Sequence, residues 1–311
     1  MWMAWETASQ LALAITVLIV VLCAVRDPDD HPRVSGFVTL ATEVARVLVL
    51  YSIWQFTRRK TITKVAGAIE HAEWVWEFQQ RWWFPSELAL QRAFIDHRLL
   101  MQSMNVYYAG VHVPAMGATL VWLFWRHRDR YPAVRNVLAM TTAGCLTIQM
   151  IPVAPPRFLP ELGFVDAGLL YHQSVYGTGG SGISNQLAAM PSLHYAWSMI
   201  VCVAVIRIST SRHRWWVLLH LVLTTLAVTV TANHWYLDGV VAGMVLLVAA
   251  GVQAVASRLS ARPPHPGHVH DHGRTGEVAH AGRPVRRRHQ GSVPARLPGA
   301  EVHVGDAGPG L

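Results

Sequence analysis

The chain has 311 residues, of which 52% are hydrophobic and 14% charged, with a formal net charge of +8. Soluble domains carry about 25% charged residues, so this composition argues against a soluble domain and indicates a membrane protein. The basic residues fall in short segments between apolar runs, a pattern that favours membrane lipids over nucleic acid as partners. The three cysteines lie inside apolar runs, so neither a disulfide framework nor a Cys-x-x-Cys metal site is predicted.

Seven apolar stretches are long enough to cross a bilayer as helices, which takes about twenty residues. They predict an all-α, polytopic transmembrane bundle. The first stretch is interpreted as a retained anchor, since no basic residue precedes it and no small-x-small cleavage site follows. The second contains Glu43 and Arg46 at i,i+3 spacing. Their opposite charges are interpreted as neutralising each other inside the bundle. The predicted spans are residues 8–25, 37–56, 104–125, 134–153, 191–208, 215–232 and 235–256.

These spans divide the chain into four predicted segments. Residues 1–63 hold the N-terminal transmembrane helices, and residues 104–257 form the membrane core. The segment between them, residues 64–103, alternates tryptophans with charged residues, which predicts one or two interfacial amphipathic helices broken at Pro85. Residues 258–311 are rich in Pro, Gly, His and Arg without apolar periodicity, so a disordered basic tail is predicted there.

A polar, glycine-rich stretch turns into an apolar run at Pro191-Ser192-Leu193-His194. Proline suits the first turn of a helix, where its missing N–H would have no partner anyway. Ser192 and His194 are therefore expected in that first turn, beside backbone N–H groups that no intrahelical carbonyl satisfies. A helix start of this kind is a natural anion-binding site.

A second polar group follows in the last predicted span. His234 and Asp238 stand at i,i+4 spacing, which predicts that they share one face of a helix. If the spans alternate in direction, Arg157 at the end of the fourth span reaches the same membrane face. The fifth span, with Ser192 and His194, begins at that face as well. Three distant segments are therefore expected to build one site.

Basic residues mark the opposite face of the predicted bundle. The positive-inside rule makes that face cytoplasmic, so the site is expected on the extracytoplasmic side, at the plasma membrane. A basic cluster at residues 58–64, after the second span, disagrees with this orientation. The supporting residues are Arg126, Arg128, Arg130, Arg135, Arg207, Arg212, Arg214, Arg258 and Arg262.

The polar residues of this face suit phosphoryl transfer without a metal or other cofactor. Neutral His234 is expected to attack phosphorus through one ring nitrogen, while Asp238 accepts a hydrogen bond from the other. His194 is the expected general acid and base. Arg157 and Ser192 are expected to bind phosphate oxygens, Arg157 because its fork matches phosphate geometry. A two-histidine, one-carboxylate metal site is the alternative, which a neighbouring guanidinium disfavours.

The two motifs resemble those of the type 2 phosphatidic acid phosphatase superfamily. Its second motif is Pro-Ser-Gly-His, similar to residues 191–194, and its third ends in His-x-x-x-Asp, similar to residues 234–238. Leu193 in place of glycine, and Ala-Pro-Pro-Arg at residues 154–157, are closer to the inositolphosphotransferase branch, which contains fungal inositol phosphorylceramide synthase. The resemblance covers about residues 100–257. Further features similar to that branch, with no role assigned, are Asn105, Tyr107 and His112.

The resemblance implies six core helices and an integral membrane phosphatase or phosphotransferase. It implies a phospho-enzyme on His234, with His194 as acid and base and Asp238 orienting His234. The implied substrate is a lipid phosphate or a phosphoinositol-type headgroup, and the oligomeric state stays open.

Two departures from the family's motifs favour an alternative, a catalytically weak or inactive member that binds or carries lipid. Met150 stands where the first motif has lysine, and Phe158 replaces its proline. Ala227 and Val228 stand where the third motif opens with Ser-Arg. Two phosphate-binding cations of the family are therefore missing.

Overall fold

The structure is a computed structural model, and it describes residues 5–25, 32–61, 67–174 and 184–260. These residues form α-helices and short 3₁₀ turns and contain no strand, so the predicted all-α membrane bundle is confirmed. The helices are α1 Trp5–Val25, α2 Pro32–Thr61, α3 Ala68–Arg81, α4 Glu87–Ile95, α5 Arg98–Gly110, α6 His112–Arg126, α7 Tyr131–Ile148, α8 Ala167–Leu170, α9 Leu193–Ile208, α10 Leu218–Val230 and α11 Tyr236–Ser260.

Fewer helices than the seven predicted spans are long and apolar enough to cross a membrane. In the described part of the chain, α1, α2, α11 and the run Arg212–Val230 that contains α10 meet this requirement. The α5–α6 pair adds a fifth if it counts as one span, bent by 48°. The predicted count of seven is higher because the predicted spans 134–153 and 191–208 include residues that lie outside α7 and α9. Helix α9 has 16 residues, about 24 Å of helix, which is short of a hydrocarbon core of about 30 Å.

The bend between α5 and α6 has a local cause. Pro114 stands in the first turn of α6 and lacks the N–H that a continuous helix would bond to the carbonyl of Gly110. The chain therefore turns at Val111, between Tyr108 on α5 and His112 on α6. Both of these side chains are buried in the bundle.

Two apolar clusters flank the ends of α9 and α11 that carry the predicted site. One surrounds the fully buried Trp235 and includes residues of α3 and of the segment 153–164. The other surrounds Tyr195 and joins α5, α10 and α11. Helix α11 packs against α7 and α9, and α10 packs against α4, α5 and α9.

The amphipathic segment folds as two helices, α3 and α4, separated by residues 82–86. The predicted break at Pro85 is therefore confirmed. Helix α3 buries a stripe that ends at Gln79, and the other side of the segment exposes large aromatic rings. These exposed rings are Trp74, Trp82 and Trp83.

The charged pair in α2 forms as predicted and has an additional partner. Glu43 pairs with Arg46 on the same helix and with Arg135 at the start of α7. A charge inside an apolar bundle is expensive unless it is paired, so this contact gives α2 a specific attachment to α7.

The predicted core and the last helix of the structure end at different residues. Helix α11 continues to Ser260, past the predicted end of the core at residue 257. The rest of the predicted tail, residues 261–311, lies outside the described residues, as does the glycine run within 175–183.

The glycine spacing Gly239-x-x-x-Gly243 packs α11 against α9. A Cβ at position 239 would lie 3.1 Å from the ring of Tyr195, and one at 243 would lie 3.6 Å from Met199. Because Tyr195 is itself buried, its ring has little room to move. Glycine at 239 therefore allows the close approach that small residues give membrane helices.

We expect Gly239→Ala to lower the thermal unfolding midpoint in detergent micelles, since overpacking costs about 1–3 kcal/mol. Gly251→Ala is the matched control on the same helix, because a Cβ there meets nothing within 4 Å. The control is expected to unfold no earlier than wild type. Equal midpoints for the two variants would contradict the packing assigned to Gly239.

Candidate active site

The start of α9 differs in detail from the sequence expectation. Ser192 is the N-cap, its hydroxyl oxygen accepting a hydrogen bond from the backbone N–H of Tyr195 at 3.3 Å. Pro191 lies before the helix rather than in its first turn, because serine is the better N-cap residue. The Pro191 carbonyl accepts a hydrogen bond from the side chain of Gln149 at 2.8 Å. The helix begins at Leu193, so His194 does lie in its first turn.

The start of α11 also differs from expectation, because His234 precedes the helix instead of sharing its face with Asp238. The two side chains meet nevertheless. Asp238 Oδ2 accepts a hydrogen bond from the backbone N–H of Trp235 at 2.9 Å, as the third residue of a helix does in a capping box. This contact folds the chain back so that Asp238 faces His234.

Asp238, His234 and His194 form a continuous line of contacts. His234 Nδ1 lies 3.1 Å from Asp238 Oδ2, and His234 Nε2 lies 3.1 Å from His194 Nδ1. Asp238 is fully buried, and His234 is 6% exposed. The structure thus brings together all three residues that the motifs predict for chemistry.

The partners of His234 determine where its proton lies. Nδ1 contacts two groups that only accept hydrogen bonds, the Asp238 carboxylate and the Ala189 carbonyl oxygen at 2.9 Å. In the neutral ring the proton must therefore be on Nδ1, which leaves the lone pair on Nε2. His194 Nδ1 is then the donor in the contact between the two imidazoles.

Aromatic rings surround His194 on other sides. The ring centroid of Tyr108 lies 4.5 Å from that of His194, and His112 makes an edge contact at 4.6 Å. Both ring nitrogens of buried His112 are without hydrogen-bond partners in the described part of the chain. Further along, the hydroxyl of Tyr107 lies 2.6 Å from His220 Nδ1. Polar rings thus extend from His194 into the bundle.

Arg157 lies near the contacts that join Asp238, His234 and His194, and it has several polar partners of its own. Its Nη1 donates to Asn233 Oδ1, and its Nη2 donates to Gln186 Oε1 at 3.2 Å. Its Nε lies 3.4 Å from a carboxylate oxygen of Asp166, and its backbone N–H donates to the Ala232 carbonyl at 3.0 Å. The guanidinium is thereby tied to the residue next to His234.

A small cleft lies near the imidazole pair and is lined by Tyr108, Arg157 and Asn233. Neither imidazole lines it, but the Tyr108 ring centroid lies 4.5 Å from that of His194 and 6.3 Å from that of His234. Amide and carboxylate side chains complete the lining. The other lining residues are Asn105, Asp166, Gly168, Gln173 and Ser174.

The positions that depart from the family's motifs do not line the cleft. The Met150 side chain is 55% exposed, and Ala227 and Val228 are fully buried in the cluster around Tyr195. Ser192, which matches the family's motif, is fully buried, and its oxygen caps α9. Arg157 is therefore the cation that the described structure brings to the cleft.

The motifs do not reveal four further residues of this region: Tyr108, Asn233, Gln79 and Glu87. Gln79 had a usable signal, because it lies on the apolar stripe of α3 where a polar side chain needs a partner. Glu87 is fully buried, and burial raises the pKa of its carboxyl group. Tyr108 and Asn233 carry no comparable signal, since only the tertiary structure brings them to the imidazoles.

Among the described residues, no group of three or more His, Cys, Asp and Glu side chains is arranged to hold a metal ion. The carboxylate of Asp238 contacts a ring nitrogen of His234 directly, whereas ligands of one metal ion surround a common point. The clustered histidines of residues 265–272 lie outside the described residues.

Comparison with known proteins gives one result. A family model described as the PAP2 superfamily matches residues 73–252, more than half of the chain. The match begins within α3 and includes α4, and both helices lie before the range covered by the motif resemblance. No curated protein and no solved structure matches the chain.

We expect ¹⁵N NMR of histidine-labelled protein in micelles to find the neutral His234 ring protonated at Nδ1, because both partners of that nitrogen are acceptors. The signals are assigned by their loss in His234→Gln. A ring protonated at Nε2 would overturn the hydrogen-bond directions given above.

Proposed function

The chain belongs to the PAP2 superfamily, and on this premise we propose that it transfers phosphoryl groups through a phosphohistidine at His234. Membership supports phosphatase or phosphotransferase activity on phosphate-bearing substrates. Several apolar helices are long enough to span a membrane, so the protein is an integral membrane protein. The proposed substrate is accordingly a lipid phosphate or a lipid phospho-headgroup.

One observation carries this proposal, the contact line from Asp238 through His234 to His194. A neutral imidazole whose Nδ1–H is held by a buried carboxylate has its lone pair on Nε2 and is a nucleophile in the correct tautomer. The carboxylate also stabilises the positive charge that develops on the ring as a bond to phosphorus forms.

The first step begins when the phosphate group enters between the two imidazoles. Its entry breaks the contact between His194 Nδ1 and His234 Nε2. The Nε2 lone pair of His234 forms a bond to phosphorus while the bond from phosphorus to the leaving oxygen breaks. Protonated His194 gives its proton to that oxygen. The lipid alcohol leaves, and the phosphoryl group stays on His234.

The second step reverses these proton movements. Water or an alcohol attacks phosphorus, and neutral His194 takes the proton of the attacking hydroxyl group. The bond between phosphorus and Nε2 breaks, and the electron pair returns to the ring nitrogen. His194 is again protonated and His234 neutral, so both residues are ready for another cycle.

Arg157 is the proposed ligand of the non-bridging phosphate oxygens. Its guanidinium is held by Asn233, the neighbour of His234, and lines the cleft beside the imidazoles. A planar guanidinium binds two oxygens at once, which suits the trigonal transition state. Ser192 is proposed to assist, its hydroxyl proton being available while its oxygen caps α9.

The molecule that attacks phosphorus in the second step distinguishes the two kinds of enzyme: water for a phosphatase, an alcohol for an inositolphosphotransferase. Ala-Pro-Pro-Arg at residues 154–157 and Leu193 favour the inositolphosphotransferase branch. The cleft supports the same proposal, because amide and carboxylate groups such as those of Asn105 and Asp166 pair well with hydroxyl groups.

The site is proposed to face the extracytoplasmic side of the plasma membrane. Helices α9 and α11 begin at the site, and the ends remote from it carry basic residues such as Arg207 and Arg258. The positive-inside rule assigns those remote ends to the cytoplasm.

The second candidate is a lipid-binding or carrier protein with the fold but little chemistry. The exposed Met150 and the apolar Ala227 and Val228 favour it, because two phosphate-binding cations of the family are missing. The intact Asp238–His234–His194 line favours the enzyme.

We expect His234→Ala to abolish an acid-labile phosphoryl label on the protein. His194→Ala is expected to slow turnover by about 10²–10⁴-fold, the usual contribution of general acid–base catalysis. His213→Ala is the matched control, since this exposed histidine lies near the remote end of α9. Wild-type labelling and turnover in all three variants would dispose of the assignment.

We expect the purified protein to release phosphate or exchange a phospho-headgroup without added metal, because the proposed histidine chemistry uses none. The panel contains phosphatidic acid, a polyprenyl phosphate, and phosphatidylinositol with an alcohol acceptor, each assayed with and without chelator. Activity lost to the chelator and restored by zinc would favour the metal alternative. No turnover on any of them would favour the lipid-binding candidate.

A further inference from the structure

The first turn of α11 lacks a cap of the ordinary kind. A helix start leaves several backbone N–H groups without intrahelical partners, and a serine, threonine or aspartate just before it normally accepts one of them. Here the residue before the helix is Trp235, whose indole is a donor only and is already bonded to the Ala154 carbonyl at 2.9 Å. The partners for this turn must come from elsewhere.

Two side chains of the α3–α4 segment supply them. Glu87 Oε1 accepts the N–H of Tyr236 at 3.0 Å, and Gln79 Oε1 accepts the N–H of Leu237 at 2.8 Å. Gln79 Nε2 also donates to Glu87 Oε1 at 2.8 Å, which joins the two acceptors. The next residue, Asp238, accepts the N–H of Trp235 itself. Three successive N–H groups at the helix start thus have side-chain acceptors.

The start of α11 depends on these contacts because they are buried. Gln79 and Glu87 are both fully buried, so solvent is not at hand to replace a lost acceptor. A buried N–H without a partner is costly, and the turn would shift to find one. Glu87 Oε2 has no hydrogen-bond partner in the described part of the chain. Desolvation raises the pKa of this carboxyl group, and a neutral carboxyl still accepts at Oε1.

We propose that Gln79 and Glu87 are positioning residues for the imidazole and carboxylate of the site. They hold the backbone of residues 236 and 237, which lies between His234 and Asp238 in the chain. A shift of this turn lengthens the contact between His234 Nδ1 and Asp238 Oδ2. The catalytic part of this inference rests on the proposed function, whereas the capping part does not.

The consequence for the reaction is specific. Neither side chain lines the cleft, so substrate binding stays unchanged when either is removed. The orientation of the proposed nucleophile, His234, is disturbed, and a misplacement of about 1 Å lowers the rate roughly 10²-fold. A fall in kcat with constant KM is the expected pattern.

The test compares buried and exposed residues of the same type on the same segment. Glu87→Ala and Gln79→Ala each remove one acceptor, and Glu87→Gln keeps an acceptor oxygen at the same place. Gln80→Ala and Glu77→Ala are matched controls, because both side chains are exposed on α3. All variants are made in the full chain and compared in the same micelles.

Two measurements are made on every variant. Hydrogen exchange followed by mass spectrometry reports the N–H groups of residues 236 and 237, whose exchange is expected to accelerate about tenfold or more in both alanine variants. Turnover on the best lipid phosphate is expected to lose about 10²-fold in kcat in the same variants. Glu87→Gln, Gln80→Ala and Glu77→Ala are expected to stay within about threefold of wild type.

The two measurements separate the inference from the proposed function. If wild type turns nothing over, the proposed function fails, and exchange at residues 236 and 237 alone decides the capping role. Unchanged exchange in both alanine variants overturns the inference whatever the activity. Faster exchange with unchanged kcat overturns the positioning role. If Glu87→Ala does not fold, Gln79→Ala against Gln80→Ala gives the same decision.

Discussion

The structure depends on one buried carboxylate. Asp238 is fully enclosed by protein, and a single oxygen accepts both the N–H of Trp235 and the ring proton of His234. The first bond starts α11, and the second orients the imidazole, so the same atom serves the fold and the proposed chemistry. A buried carboxylate is costly unless it is well bonded. Its other oxygen, Oδ1, has no hydrogen-bond partner in the described part of the chain, so this buried group depends on the bonds to Oδ2.

That arrangement solves a general difficulty of membrane bundles. Polar backbone and side-chain groups must find partners inside the protein, because lipid offers none. Here distant buried amides provide them: Gln79 reaches the start of α11, and Gln91 donates to the carbonyls of Val165 and Val230. These bonds join the α3–α4 segment to the ends of α10 and α11. The amphipathic helices are therefore part of the site's scaffold as well as an exposed aromatic surface.

The site occupies the irregular end of the bundle. The segment before Arg157 bonds to three other parts of the chain: Val153 pairs with Leu187 and Ala189, Ala154 N–H bonds to the Ala68 carbonyl, and Arg157 N–H bonds to that of Ala232. Short helices and 3₁₀ turns at this end leave room for a polar cleft. Non-helical backbone at such a position is tolerated where protein covers it or where it lines a cavity.

The sequence alone determined the all-α class, the break at Pro85, the Glu43 pair and the residues that meet in the site, because each follows from local spacing and apolarity. His194, His234 and Asp238 belong to short motifs whose residue types and spacing predict phosphoryl-transfer chemistry. Only the tertiary structure decided the bounds of α7 and α9, the N-cap role of Ser192 and the place of His234 before α11, since these depend on where helices begin and end. The contacts of Gln79 and Glu87 with the start of α11, and the place of Tyr108 beside His194, were likewise beyond prediction. Their contacts join segments far apart in the chain, and such contacts arise from packing that no local pattern encodes.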